Sequence, residues 1–254
     1  MSNAALFASV AREYASFRPG YPPELFAWLA RAVAKRDAVW DCGCGSGQAS
    51  TALAEHFAVV YATDAATEQI AAAKAHPRVR YSIAPAEHSA LADACVDLVT
   101  VAQALHWFDI EAFYAEARRV ARPGALLAVW NYPRPQFLDA GLDRRFLDFY
   151  SDVVGPYWPP ERRHIEANYQ TLPFPFDELE HPAFGLELNW NLDQVTGYVG
   201  SWSATARYRK ALGHDPVPLL RESLGAIWPG AAATVAIRMP IGLRAAQLRP
   251  RAGG

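Results

Sequence analysis

The chain has 254 residues, 52% of them hydrophobic, with 24 basic and 26 acidic side chains and a formal charge of −2. That length suits one α/β domain with insertions, and the near-balanced charge disfavours nucleic acid and acidic membranes as partners. Three cysteines make no disulfide framework, Cys42-x-Cys44 lacks a second Cys/His pair that would complete a metal site, and with no long apolar span or signal peptide a cytoplasmic protein is expected.

In chain order, Tyr14-Ala15-Ser16-Phe17-Arg18-Pro19-Gly20-Tyr21-Pro22-Pro23 comes first. Its prolines forbid a helix through the segment. It is either a lead-in packed on the core or a flap over a ligand, with Arg18 meeting a carboxylate. Pro23 then opens a helix through Glu24 to Lys35, with Leu25, Phe26, Leu29 and Val33 at helical spacing.

Ala38 to Trp40 is a short apolar strand that ends on Asp41. Gly43, Gly45 and Gly47 follow, and a helix from Gln48 to Phe57 comes next. A strand that feeds a glycine turn into a helix lets a ligand approach the backbone. The dinucleotide pattern Gly-x-Gly-x-x-Gly fails from either start, because Gln48 and Ser50 stand where its last glycine is needed. No Gly-Lys-Ser/Thr is present, so a phosphate-binding P-loop is also excluded. What remains is acidic-x-Gly-x-Gly-x-Gly, and Asp41-Cys42-Gly43-Cys44-Gly45-Ser46-Gly47 resembles motif I of the class I S-adenosylmethionine methyltransferases. Thiols beside such a turn serve as small hydrophobes.

Val59 to Thr63 reads as a second strand, ending at Asp64. A carboxylate there can accept both hydroxyls of a ribose or cap the next helix. Arg78 to Ile83 is a third strand, followed by Ala84-Pro85-Ala86-Glu87-His88, and Ser89 to Ala94 leads into a fourth at Val96 to Val101. The fourth strand ends in Ala102-Gln103-Ala104-Leu105-His106-Trp107-Phe108-Asp109. Open α/β sheets bind ligands at the carboxyl ends of their strands, which puts Gln103, His106 and Trp107 at the expected site. Asp109 caps a helix with Phe113, Ala117 and Val120 on one face, closed by Arg122-Pro123-Gly124, and Ala125 to Trp130 is the fifth strand. Five strand-helix alternations call for a mostly parallel sheet.

Asn131 to Glu178 breaks the rhythm with an aromatic, proline-rich insertion, with helices expected at Ala140–Val153 and Pro160–Thr171. It reads as a lid or substrate wall, or as ordinary helical packing. Phe184 to Leu192 is a sixth strand. Helices are expected at Asp193–Ala204 and Val217–Ile227, with Arg207, Tyr208 and Arg209 between them. Thr234 to Leu243 is a final antiparallel edge strand, and Arg249 to Gly254 a frayed tail.

Beyond motif I, Tyr14 to Pro23 and Leu105-His106-Trp107-Phe108-Asp109 resemble segments of a methyltransferase type 11 subgroup that includes trans-aconitate methyltransferase-like proteins. The resemblance favours the flap. It implies a Rossmann-like class I methyltransferase fold: a seven-stranded, mostly parallel sheet of order 3-2-1-4-5-7-6, helices on both faces, and a partly helical cap. One domain would span 1–254, with an N-terminal flap and helix over 1–35 and a cofactor core over 36–130. A cap insertion would fill 131–180, and C-terminal helices and edge strands 181–254. The implied cofactor is S-adenosyl-L-methionine, leaving as S-adenosyl-L-homocysteine. Its implied contacts are Tyr14, Arg18, Asp41, Gly43, Cys44, Gly45, Gly47, Asp64, Ala86, Glu87, Gln103, His106 and Trp107. Ala86 and Glu87 would border the adenine.

The expected reaction moves a methyl group to an oxygen, nitrogen or carbon of a small molecule, a carboxylate or a natural-product metabolite, in a monomer or homodimer. Trp107 and Tyr21 are candidates to face the sulfonium. His106 is the candidate catalytic base if the acceptor must lose a proton. A carboxylate acceptor would need no base and would instead call on arginines such as Arg207 or Arg209. Two rivals stand beside this reading: a nicotinamide-dependent oxidoreductase, disfavoured by the glycine spacing, and a binding protein for S-adenosylmethionine without catalysis.

Overall fold

A computed structural model describes residues 19–248, so Tyr14, Arg18 and the tail from Arg249 lie outside the described residues. The chain divides into two compact units. One holds residues 20–133, 163–184 and 240–248, and the other holds residues 134–162 and 185–239.

The first unit is built on a sheet. Its elements are α1 (Pro23–Ala32), β1 (Ala38–Cys42), α2 (Gln48–Leu53), β2 (Val59–Asp64), α3 (Thr67–Ala71), β3 (Val79–Ile83), β4 (Val96–Ala102), α4 (Ile110–Val120) and β5 (Ala121–Asn131). Strand order runs β3-β2-β1-β4-β5 with parallel pairing throughout. The last strand, β8 (Val235–Gln247), pairs antiparallel with β5, from Leu126↔Gln247 to Asn131↔Gly242. The strands of a buried parallel sheet read as near-continuous apolar runs, and β1 and β4 do so.

Alternation along each strand divides the core into two layers. Val39, Leu98, Leu126, Ala128 and Trp130 pack with Leu25, Phe26 and Leu29 of α1 and Leu53 of α2. Trp40, Val99, Val101, Leu127 and Val129 pack with Phe113, Ala117 and Val120 of α4 and with Ile165 and Tyr169. The short helix α6 (Arg162–Glu166) leads into that last segment, where a longer one was expected from Pro160 to Thr171.

The second unit holds β6 (Gln136–Phe137), α5 (Ala140–Asp148), α7 (Leu192–Gly200), α8 (Ser203–Leu212), α9 (Val217–Gly225) and most of β7 (Phe184–Trp190). Its core is aromatic: Trp202 meets Phe146, Tyr150, Trp158 and Tyr198 with ring centroids 5.3–5.8 Å apart. Asn191 and Gln194 form a reciprocal capping box at the start of α7.

Two expectations need correction. Arg207, Tyr208 and Arg209 lie inside α8, not between helices, because Gly213 (φ +75°) supplies the left-handed C-cap only after Leu212. The final strand is not an edge: it runs on to Gln247, lies against β5, and also pairs with β6 and β7. The order expected for the first five strands and the antiparallel last one is otherwise present, with β6 as a two-residue addition.

Candidate active site

The glycine turn is held from beneath by Asp41. This residue is fully buried; Oδ2 accepts the Ser50 hydroxyl at 2.5 Å and Oδ1 accepts that of Thr100 at 2.9 Å. Burial pushes its carboxyl up to about 6, helped by Asp64 and opposed by the two hydroxyls. Ser50 belongs to α2 and Thr100 to β4, so Asp41 ties the helix after the turn to the neighbouring strand.

Gly43, Gly45 and Gly47 all take positive φ, at +67°, +56° and +86°. An added Cβ at Gly43 would lie 2.7 Å from the Ala104 Cβ and 3.0 Å from the Phe108 ring. At Gly45 the nearest atom would be the Gln69 Oε1, at 3.7 Å. Gly43 is therefore glycine for packing as well as conformation, whereas the backbone at Gly45 is open to a neighbour. The Cys44 N–H donates to the Thr63 carbonyl, and the Cys44 carbonyl accepts from Gly47 N–H, both at 3.0 Å. Burial pushes both nearby thiols, Cys42 and Cys44, up, as suits packing groups.

Asp64 stands at the tip of β2. Its Oδ2 accepts the Gly45 N–H and its Oδ1 the Ala66 N–H, each at 2.8 Å. It does not cap α3, whose N-cap is Ala66 with no side-chain bond. Burial raises its carboxyl above the usual range, against the two N–H bonds. An ionised carboxylate offers about four lone-pair sites. Two bonds leave capacity for a pair of hydroxyls.

Beyond β3, Ala86 is buried and Glu87 accepts the Asp109 N–H at 2.9 Å. That bond links this segment to the start of α4, where Asp109 accepts the Ala112 N–H. After β4, Gln103 adopts φ +60°; its N–H donates to Trp130 and its side-chain Nε2 to the Tyr132 carbonyl at 3.2 Å. The ring of His106 lies 4.5 Å from that of Trp107, centroid to centroid, and its Nδ1 is 3.2 Å from the Tyr169 hydroxyl. Tyr21 packs on Trp130 and Tyr132 at the end of β5. Arg209 pairs with Asp215 in the other unit.

Sequence reasoning missed several partners. Ser50 and Thr100 serve Asp41, and Tyr169 meets His106 from 63 residues away. Tyr169 is set by a buried clamp: Arg244 donates to the carbonyls of Tyr169 and Leu172 and pairs with Glu178 at 2.6 Å. No local pattern signals these long-range partners, although an arginine inside an apolar final strand is itself a hint.

Comparison with known proteins fits this geometry. A family model described as a methyltransferase domain matches residues 40–129. A protein of Dictyostelium discoideum named as a methyltransferase is 33% identical over 222 residues, 86% of this chain and 84% of its own. The chain belongs to the class I S-adenosylmethionine-dependent methyltransferases. An uncharacterized methyltransferase of Mycobacterium bovis is 41% identical over 176 residues, 68% of this chain and 67% of its own. The solved structure of a protein of Anaeromyxobacter dehalogenans named as a type II methyltransferase superposes with a TM-score of 0.86 at 44% identity. That match covers 93% of this methyltransferase and all of the other chain. Motif I and the His106-Trp107 segment both fall inside the matched family stretch.

Proposed function

We propose that this methyltransferase uses S-adenosylmethionine to methylate an oxygen, nitrogen or carbon of a small molecule, releasing S-adenosylhomocysteine. The observation that carries the cofactor reading is Asp64, a carboxylate at the tip of β2 that holds the Gly45 N–H and keeps acceptor capacity. That donor and acceptor set fits an adenosine ribose beside an open glycine backbone. The sulfonium supplies an activated methyl group, so the protein's work is alignment and exclusion of water.

In this reading Asp64 accepts the ribose hydroxyls. The Gly45 backbone lets the ligand approach. Ala86 and Glu87 border the adenine. Arg18 would meet the carboxylate of the amino-acid end, and Tyr14 would be a further contact of the cofactor. Trp107 offers an aromatic face to the positive sulfur. Gln103 and His106 flank the reacting end, and Asp41 acts through the turn it supports. His106 serves as a wall: its Nδ1 faces Tyr169 and its ring packs on Trp107, which suits alignment.

Transfer of isotopic label from methyl-labelled S-adenosylmethionine to a panel of small carboxylic acids, phenols and amines tests this reading. Wild type is expected to label at least one class, and His106→Asn to keep its rate within about tenfold, since a general base is worth roughly 10²–10⁴-fold. A rate that rises with pH in wild type and loses that dependence in His106→Asn would make His106 a base instead. No labelling of any class would count against small-molecule methylation.

A further inference from the structure

We infer that Tyr169 is a positioning residue for His106: its hydroxyl donates to Nδ1, holds the imidazole in place and keeps the ring's proton on Nε2. The inference rests on the reading above, in which His106 borders the reacting end, and adds the protonation pattern of that ring.

Tyr169 is fully buried, and its hydroxyl lies 3.2 Å from Nδ1 of His106, which is itself partly exposed. The backbone that delivers the phenol is strained. Asn168 and Tyr169 are consecutive non-glycine residues with φ of +48° and +60°, and a bulky side chain in that region is an outlier.

Several groups hold the strained pair. The Tyr169 N–H donates to the His164 carbonyl at 2.7 Å, closing the turn after α6. From the other side Arg244, buried in β8, donates to the Tyr169 carbonyl at 3.0 Å and to the Leu172 carbonyl at 3.2 Å. Its charge is answered by Glu178 at 2.6 Å and by the Phe174 ring, whose centroid is 4.4 Å from the guanidinium carbon. Gly242 leaves room for Asn168, whose side chain would collide with any Cβ there. A buried arginine and a glycine on β8 thus serve a backbone position 70 or so residues away, and the phenol it carries ends on His106. Strain persists where the surroundings over-determine it, and it collects where a side chain must be aimed.

The direction of the bond follows from the two groups. A neutral imidazole carries one proton, and which nitrogen holds it is set by the hydrogen bond the other makes. An imidazole nitrogen is a far stronger acceptor than a phenol oxygen, so the favoured pairing is Tyr169 O–H to a bare Nδ1. The proton then sits on Nε2. In that state the neutral ring has no lone pair left to take a proton from an acceptor. This is the chemical reason for His106 to act as a wall and not as a base.

The test uses the full chain without ligand, with isotopically labelled histidine nitrogens. Proton–nitrogen correlation spectra show which nitrogen of each neutral ring bears the proton, and the His106 signals are those missing from His106→Asn. Wild type is expected to favour the Nε2–H form by about tenfold or more. Tyr169→Phe is expected to lower that ratio by about fivefold, the worth of one ordinary hydrogen bond. Tyr114→Phe is the control: it removes another tyrosine hydroxyl of the same core layer, bonded to the Pro173 carbonyl at 2.8 Å, and should leave the ratio unchanged. Adding S-adenosylhomocysteine should shift the His106 ring signals and keep the proton on Nε2. A wild-type proton on Nδ1 would overturn the inference, and that spectrum decides the matter even if Tyr169→Phe does not fold. A ratio untouched in Tyr169→Phe, an equal change in Tyr114→Phe, or bound ligand that leaves His106 unmoved would overturn it too. Failure of wild type to bind S-adenosylhomocysteine at all would instead overturn the cofactor reading, since the proton's place is measured without ligand.

Discussion

The ends of β1 and β5 lie two strands apart in one sheet, and their polar groups are treated in opposite ways. At β1, Asp41 is answered by Ser50 and Thr100, and the turn above it is held by Asp64 and by backbone bonds across Cys44. At β5, the Asn131 carboxamide is enclosed and has no partner among the described residues. Groups satisfied within the protein are set before any ligand arrives, and the turn is mostly of this kind, although Gln69 Oε1, the atom nearest a Cβ at Gly45, has no partner among the described residues. The first arrangement suits a turn that must hold its shape for a ligand.

The largest way to break this contrast is at the turn. Gly43→Ala adds a methyl 2.7 Å from the Ala104 Cβ at a left-handed φ. Strain and overpacking together are expected to cost about 2–5 kcal/mol, read from urea unfolding. Gly45→Ala meets nothing closer than 3.7 Å and should lose only about 1–2 kcal/mol of conformational strain. Equal losses at the two positions would mean that packing behind Gly43 is not what fixes the turn.

A second test concerns the charge under the turn. The Asp41 carboxyl sits at about 6 in the fold, raised from 3.8 by burial. A raised acid binds its proton more tightly in the folded state. Its contribution is therefore full below about pH 4 and is lost as pH rises through about 6, roughly 2–3 kcal/mol in all. Glu116 works oppositely: burial opposes it, but Arg119 and Ser89 hold it at about 2, so its contribution fades as pH falls. The difference between wild type and Asp41→Asn isolates the first effect, because the amide can still bond both hydroxyls. Denaturation across pH 4–7 should show the variant gaining on wild type as pH rises. A constant difference would show that Asp41 is not a strained acid.

How much was legible in the sequence follows the same contrast. Asp41, the three glycines and Asp64 lie in one short strand-turn-helix-strand unit, where spacing alone states the geometry. The aromatic content of 134–162 and 185–239 announced packing, but helix limits there shifted, since Gly213 and not residue pattern ends α8. Asn131, Tyr169 and Arg244 could not be grouped from the chain, because β8 brings them together only after folding back antiparallel on β5. Asp64 was read as a ribose acceptor or a helix cap; its bonds to Gly45 and Ala66 show a third use, bracing the turn.

Cofactor binding turns most on what Asp64 does with its remaining acceptor capacity. Calorimetric titration of wild type and Asp64→Asn with adenosine and with 2′,3′-dideoxyadenosine asks this directly, since the second nucleoside lacks both ribose hydroxyls. Wild type is expected to prefer adenosine by about tenfold or more, as for loss of a charge-assisted bond, and Asp64→Asn to lose most of that preference. A preference that survives intact in the variant, or that is absent from wild type, would contradict the claim that this carboxylate holds the ribose.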